Sequence, residues 1–248
     1  MLAHMKPPRD RFFVEGRHAR ADVVALAPED ARKIVAVLRK REGDHIVVVD
    51  SAAQQFVATL QRDGETIRAR LDEAIAQPST EPSVRITLAQ AIPKGQKMDV
   101  IVEKATELGV ARVWPLRSSR AIAEASAHKV ARWRKIAESA AAQSGRTVVP
   151  AVDETLDFAA LCERMQTFDA TLFAWELDAT PLRTALEATR SAASLLLVIG
   201  PEGGFSHDEA AAAVAAGAQP VSLGRRILRT ETAALVALAA LLYDRGEL

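Results

Sequence analysis

Apolar positions fall along this chain in two textures. From Arg11 to about Asp72 they come in short bursts separated by turn material. His45-Ile-Val-Val-Val-Asp50, Gln55-Phe-Val-Ala-Thr-Leu60 and Thr66 to Leu71 have the length and composition of strands. Glu42-Gly43-Asp44 stands before the first, and Arg62-Asp63-Gly64 separates the last two, as turns require. A short helix is predicted from Pro28 to Arg39, with proline suited to its first turn. Together these predict a small, strand-rich module of barrel type. Gln77-Pro-Ser-Thr-Glu-Pro82 follows, two prolines among small polar residues without periodicity, and reads as a linker.

Past the linker the periods lengthen and alternate. Val84 to Ala91 alternates as a strand, and Met98, Ile101, Val102, Ala105 and Leu108 recur at helical spacing up to Gly109, a cap candidate. Val110 to Leu116 predicts a strand, and His128 to Gln143 a helix with one basic face. Thr171 to Trp175 and Ser194 to Ile199 are further apolar strands, the second unbroken enough to be buried on both faces. The Ala-rich tracts Ala210–Ala216 and Ala233–Ala240 are helix formers. Strands alternating with helices predict an α/β fold with a mostly parallel sheet covered on both sides. The change of texture divides the chain into residues 1–76, a linker at 77–83 and a larger domain over 84–248.

Composition narrows the class. With 248 residues, 49% hydrophobic and 26% charged, the chain has the makings of a globular protein with a substantial core. No apolar run approaches the roughly 20 residues of a membrane helix, and Met1 to Phe13 lacks the apolar stretch of a secretory leader. One cysteine, Cys162, excludes an intrachain disulfide and a multi-cysteine metal site, and the five histidines are scattered. The expectation is a cytoplasmic protein with no metal and no membrane partner.

The formal charge is zero but unevenly spread. Met1 to Arg41 holds ten Lys and Arg against five Asp and Glu, and Lys129 to Arg146 five against one. The counterweight is Asp153 to Glu187, with eight acids and two arginines. Such segregation either builds a basic face suited to phosphates or is mixed in space into an ordinary solvated surface.

The sharpest local feature is Ile199-Gly-Pro-Glu-Gly-Gly-Phe-Ser-His-Asp-Glu209. A buried strand ends, three glycines with Pro201 and Glu202 turn the chain, and Ser206 with Glu209 forms a capping box for the next helix. Glycines let backbone approach a ligand, and the carboxyl end of a parallel strand is where open α/β sheets bind one. A tight strand-to-helix turn with no ligand would also use them. Neither Gly-x-x-x-x-Gly-Lys nor Gly-x-Gly-x-x-Gly is present, which disfavours a nucleotide-dependent enzyme that would hold phosphate here. About twenty residues on, Val221-Ser-Leu-Gly-Arg-Arg-Ile-Leu-Arg-Thr-Glu-Thr-Ala-Ala234 sets three arginines and a glutamate beside Gly224. Arginines there suit an anion or a developing negative charge. Alternatively Arg225 and Arg226 are solvated and Thr230 caps the helix.

Taken together, these two segments closely resemble the RsmE family of 16S ribosomal RNA uridine-N3 methyltransferases, members of the SPOUT superfamily. The resemblance continues through Lys104-Ala-Thr-Glu-Leu-Gly-Val110, Gln143-Ser-Gly-Arg146, Val149-Pro150, Arg11-Phe-Phe13, Val37-Leu-Arg39 and Gly43-Asp44, nearly the whole chain. Where the family often has an acidic residue before the arginine matching Arg120, this chain has Ser119. The resemblance implies a catalytic domain with a trefoil knot, a PUA-like RNA-binding barrel before it, and a homodimer with the active site at its interface.

It also implies S-adenosyl-L-methionine as cofactor and 16S ribosomal RNA or the small ribosomal subunit as partner. Carried over by position, the cofactor residues are Trp175, Glu176, Gly200, Pro201, Glu202, Gly203, Gly204, Leu223, Gly224, Ile227, Leu228, Arg229, Thr232 and Ala233, with Leu223, Ile227 and Leu228 flanking the adenine. Uridine N3 must lose its proton, and the charge then spreads to O2 and O4, where a cation would stabilise it. Arg229 is the first candidate for that cation, and Glu231 or Glu202 for accepting the proton or fixing an arginine. Phosphate contacts fall to Arg9, Arg11, Arg39, Lys40 and Arg41 in the small barrel and to Lys94, Lys97, Arg120 and Arg146 beyond it. Phe12 and Phe13 either stack on bases or pack in the core, as do Trp114 and Trp133, for which packing is the expectation. A non-catalytic RNA-binding or ribosome-assembly protein on the same fold is the competing reading, disfavoured by the intact motifs.

Overall fold

The computed structural model describes residues 10–64, 66–76, 78–121, 126–177 and 179–248. The chain divides into two compact units, Met1–Glu81 with Ala141–Val148, and Pro82–Ala140 with Val149–Leu248.

In the first unit, strands β1 (Arg11–Phe13), β2 (Val23–Ala25), β3 (His45–Val49), β4 (Gln55–Asp63) and β5 (Thr66–Ala74) form one sheet in the order β1-β3-β4-β5-β2. β1 runs parallel to β3 and the other neighbours are antiparallel. β1 and β2 are its two edges, and no pairing between them closes it among the described residues. The three strands expected from periodicity are present, two of them longer than predicted; β1 and β2, of three residues each, are too short to show a period. Phe12, Ile46, Val48, Phe56, Leu60 and Leu71 line the core, so Phe12 packs rather than stacks on a base.

The predicted helix over Pro28–Arg39 is α-helical only at α1 (Pro28–Arg32). It continues as a wider π-type turn through Lys33–Val37, in which Leu38 N–H donates to the Lys33 carbonyl five residues back. Arg39, at φ 55°, then ends the helix. Of that turn only Ile34 reaches the core, while Val35 and Val37 stay exposed.

The second unit holds β6 (Arg85–Ala91), α2 (Lys97–Glu107), β7 (Arg112–Arg117) and α3 (Ala127–Ser144), whose last residues belong to the first unit. β8 (Ala151–Val152), β9 (Leu156–Asp157), α4 (Phe158–Met165), β10 (Ala170–Ala174), β11 (Thr180–Pro181) and α5 (Leu182–Ala188) follow. The chain ends with β12 (Ser194–Ile199), α6 (His207–Ala215), β13 (Gln219–Ser222) and α7 (Thr230–Asp244). The sheet runs β11-β13-β10-β12-β6-β7-β8, with β9 also on β7, and every pairing is parallel.

β12 shows why the sheet is covered on both faces. Leu195, Leu197 and Ile199 join one core with Met98, Ile101 and Val102 of α2 and Ala234, Leu238 and Leu241 of α7. Leu196 and Val198 join the other, with Leu161 and Met165 of α4 and Ala210 and Ala213 of α6. Trp114 and Trp133 are buried in these cores, their indole N–H groups donating to Asp153 and Asp99. At Gly109 the chain leaves α2 with the amides of Gly109 and Val110 returning to the carbonyls of Thr106 and Ala105, the closure that satisfies a helix's last acceptors.

Candidate cofactor and active site

Because the sheet is parallel, the segments leaving β13, β10, β12 and β6 emerge at one end of four adjacent strands. These segments are Leu223–Arg229, Trp175–Leu177, Gly200–Phe205 and Ile92–Gln96. The predicted cofactor residues, separated by up to about sixty positions in sequence, are thereby brought together at the carboxyl end of the sheet. Trp175 N–H donates to the Val221 carbonyl, and the Glu176 carboxylate lies beside Gly204. Gly204 takes φ 65°, a conformation open to glycine, and a side chain on Gly200 would press on the Phe205 ring at 3.2 Å.

Thr230 joins the two glycine-bearing segments. Its hydroxyl donates to the Gly200 carbonyl at 2.5 Å and accepts from Gln90 Nε2 at 2.9 Å. The carbonyl can only accept, so the hydroxyl proton points to Gly200 and its lone pair to Gln90. That fixes the Gln90 amide, whose second proton goes to the Ala91 carbonyl at 2.8 Å. Gln90 is fully buried at the end of β6, and its Oε1 has no hydrogen-bond partner among the described residues. Thr230 is therefore not the cap of α7: Arg229 holds that position and makes no side-chain cap bond. Neither role was visible in sequence, although a glutamine inside an apolar strand was a signal that its amide serves an internal partner.

Two carboxylates and two cations meet at this end. Lys97 Nζ donates to Glu202 Oε1 at 2.6 Å and lies 3.7 Å from Glu231 Oε2. The backbone N–H of Lys94 donates to the same Glu202 oxygen. Burial pushes the Glu202 carboxyl up, but the hydrogen bonds from Lys97 and the amides, with the Lys97 charge, outweigh it and hold the group below its ordinary value. The Lys97 ammonium is raised, first by its bond to Glu202. Glu231 Oε2 is buried without a hydrogen-bond partner, and Arg229 is exposed with no ion pair among the described residues. Ile227 is fully exposed, whereas Leu223 and Leu228 pack against the α2–α7 core.

A further strand end closes over the glycine turn. Glu209 completes the capping box with Ser206 and also accepts from Ser119 N–H at 2.7 Å and Ser119 Oγ at 2.9 Å. Arg120, next in the chain, donates to the Gly203 carbonyl at 3.1 Å.

The expected phosphate contacts divide. Arg39, Arg41, Lys94 and Arg120 are exposed. Lys40 pairs with Asp10 at 2.9 Å, and Arg11 is half-buried on Gln55 Oε1 at 2.8 Å. Arg146 is only 3% exposed and its Nε donates to Glu81 at 3.1 Å, so it braces the first unit instead of facing solvent. Lys97 is committed to glutamates, and Arg9 lies outside the described residues.

Known proteins resemble this chain over nearly its whole length. The RNA methyltransferase domain family matches residues 80–242. Ribosomal RNA small subunit methyltransferase E of Bacillus subtilis is 32% identical over 94% of this chain and 96% of its own. A crystal structure of ribosomal RNA small subunit methyltransferase E from Neisseria gonorrhoeae bound to S-adenosyl methionine is 32% identical, with TM-score 0.85 over 94% of this chain and 97% of that one. A protein from Legionella pneumophila, solved in complex with the cofactor SAM, is 28% identical with TM-score 0.88 over 96% of this chain and 98% of that one.

Proposed function

Since the chain belongs to the RNA methyltransferase family that includes ribosomal RNA small subunit methyltransferase E, we propose that it methylates N3 of a uridine in 16S ribosomal RNA, with S-adenosylmethionine as donor. The observation that carries this reading is the convergence of Trp175–Glu176, Gly200–Gly204 and Leu223–Arg229 on one end of the sheet, tied by Thr230. These residues fit the cofactor. Leu223, Leu228 and the bare Ile227 side chain offer apolar surface to a purine, the glycines expose backbone groups, and the carboxylate of Glu176 beside Gly204 suits a cationic ligand, whereas that of Glu202 is taken up by Lys97. Bound there, S-adenosylmethionine supplies a methyl group already activated on sulfur.

The protein's own part is to make the uracil nucleophilic. Arg229, free of carboxylates, stabilises the charge on O2 or O4 as N3 loses its proton. Glu231 is the better proton acceptor of the two glutamates, because its Oε2 makes no hydrogen bond while Glu202 is held ionised by its bond from Lys97. Arg39, Arg41, Lys94 and Arg120 contact phosphates. The trefoil knot, the PUA-like character of the first unit, the boundary at 77–83, the homodimer and the cytoplasmic setting belong to the same reading. Likeness to the family over nearly the whole chain supports it, and exposed Val236 and Tyr243 on α7 suit a subunit contact. Calorimetry tests the site: S-adenosylhomocysteine binds saturably and ATP and NAD do not. Binding of ATP or NAD in its place would contradict the assignment.

A further inference from the structure

We propose that Lys97 is a positioning residue of the methyl-transfer site: by engaging both Glu202 and Glu231 it leaves Arg229 uncommitted, and so available to the uracil anion. This rests on the reading above, and it removes Lys97 from the phosphate contacts.

The charged groups facing Lys97 come from three elements. Glu202 lies in the turn after β12, Glu231 in the first turn of α7, and Arg229 immediately before α7. Lys97 Nζ sits 2.6 Å from Glu202 Oε1 and 3.7 Å from Glu231 Oε2. The charge of Arg229 is near enough to act on Lys97 in opposition to the glutamates, yet Arg229 itself pairs with neither carboxylate. That is an unusual choice for a guanidinium, whose planar fork matches a carboxylate with two parallel hydrogen bonds.

The ammonium wins by placement. Lys97 is the first residue of α2, and Met98 and Ile101 anchor that helix in the core at 1% and 0% exposure. A compact point charge can serve two carboxylates on different elements, which a planar fork does less readily. The second contact is too long for a hydrogen bond. It places a positive charge beside Glu231 without a hydrogen bond to Oε2, which stays open to a proton. The Lys94 amide, in the loop just before α2, adds to the hold on Glu202.

Three measurements test this, on the full-length protein. First, Lys97→Met lowers kcat for ribosomal RNA methylation by about ten- to a hundredfold, the worth of a charge-assisted contact, while S-adenosylhomocysteine affinity stays within about threefold. Second, adding Glu202→Gln to Lys97→Met restores part of kcat, since one competing carboxylate is gone; Lys97→Arg restores less than the native lysine. A purely structural lysine would not be rescued by neutralising its partner. Third, a crystal structure of Lys97→Met shows the Arg229 guanidinium turned onto Glu202 or Glu231. Unchanged kcat in Lys97→Met, no gain in the double variant, or Arg229 left in place would each overturn the proposal. If the wild-type protein methylates no uridine, the functional reading fails, and the crystal structure still decides the position of Arg229.

Discussion

At the scale of single residues, Thr230 shows how one hydroxyl sets a site. Gly200 and Thr230 stand thirty positions apart, and Gln90 is a further 110 upstream. The hydroxyl's one proton and lone pair join all three, so the glycine turn, the start of α7 and the end of β6 are tied together. Thr230→Val keeps the shape and removes both bonds, leaving the Gln90 amide and the Gly200 carbonyl short of a partner. The expected loss is about 1–3 kcal/mol of stability, read as a lower denaturation midpoint, with S-adenosylhomocysteine affinity down by about tenfold. A variant with both values unchanged would show that the bridge does not organise the site.

At the scale of elements, the start of α6 joins the glycine turn to the segment after β7. Glu209, 8% exposed, accepts from Ser119 twice and from the Ser206 amide. Glu209→Ala removes the capping box and undocks Ser119–Arg120 from Gly203, a loss of about 1–3 kcal/mol, measured by denaturant titration. Glu209→Gln keeps part of it, because an amide can still accept from one of these donors; equal losses in the two variants would contradict this. The elements that sequence predicted well are those whose signals are local. β12 runs from Ser194 to Ile199 as its unbroken apolar pattern requires, and Ser206 with Glu209 caps α6. Among the elements it missed, β8, β9 and β11 have two residues each, too few to show a period. The sequence assigns Arg146 and Lys97 to phosphate contacts. Glu81, 65 positions from the one, and Glu202, 105 from the other, pair with them instead, and Arg146 is buried.

At the scale of the whole molecule, a parallel sheet gathers the carboxyl ends of β13, β10, β12 and β6 on one side, and the chemistry collects where they end. The same architecture sets the response to acid. Asp169 is held below its ordinary value by the Ser194 amide, the Ser194 hydroxyl and the Ala193 amide, Asp244 by Arg190, and Glu247 by Ser83. Asp30, raised by burial, works the other way. For the three depressed groups, as for Glu202, the folded chain binds fewer protons than the unfolded one. Their contribution is therefore complete above about pH 4.5 and is lost as pH falls through their native values. The denaturation midpoint should drop between about pH 4.5 and pH 3, less steeply in Asp169→Asn; a flat midpoint there would contradict the account. The central claim meets its most direct test in mass mapping of small-subunit ribosomal RNA from cells lacking this protein, before and after incubation with it and S-adenosylmethionine. One uridine should lack an N3 methyl and regain it with the wild-type protein, and Arg229→Ala should bind S-adenosylhomocysteine but restore little. A map identical with and without the protein, or full restoration by Arg229→Ala, would contradict it.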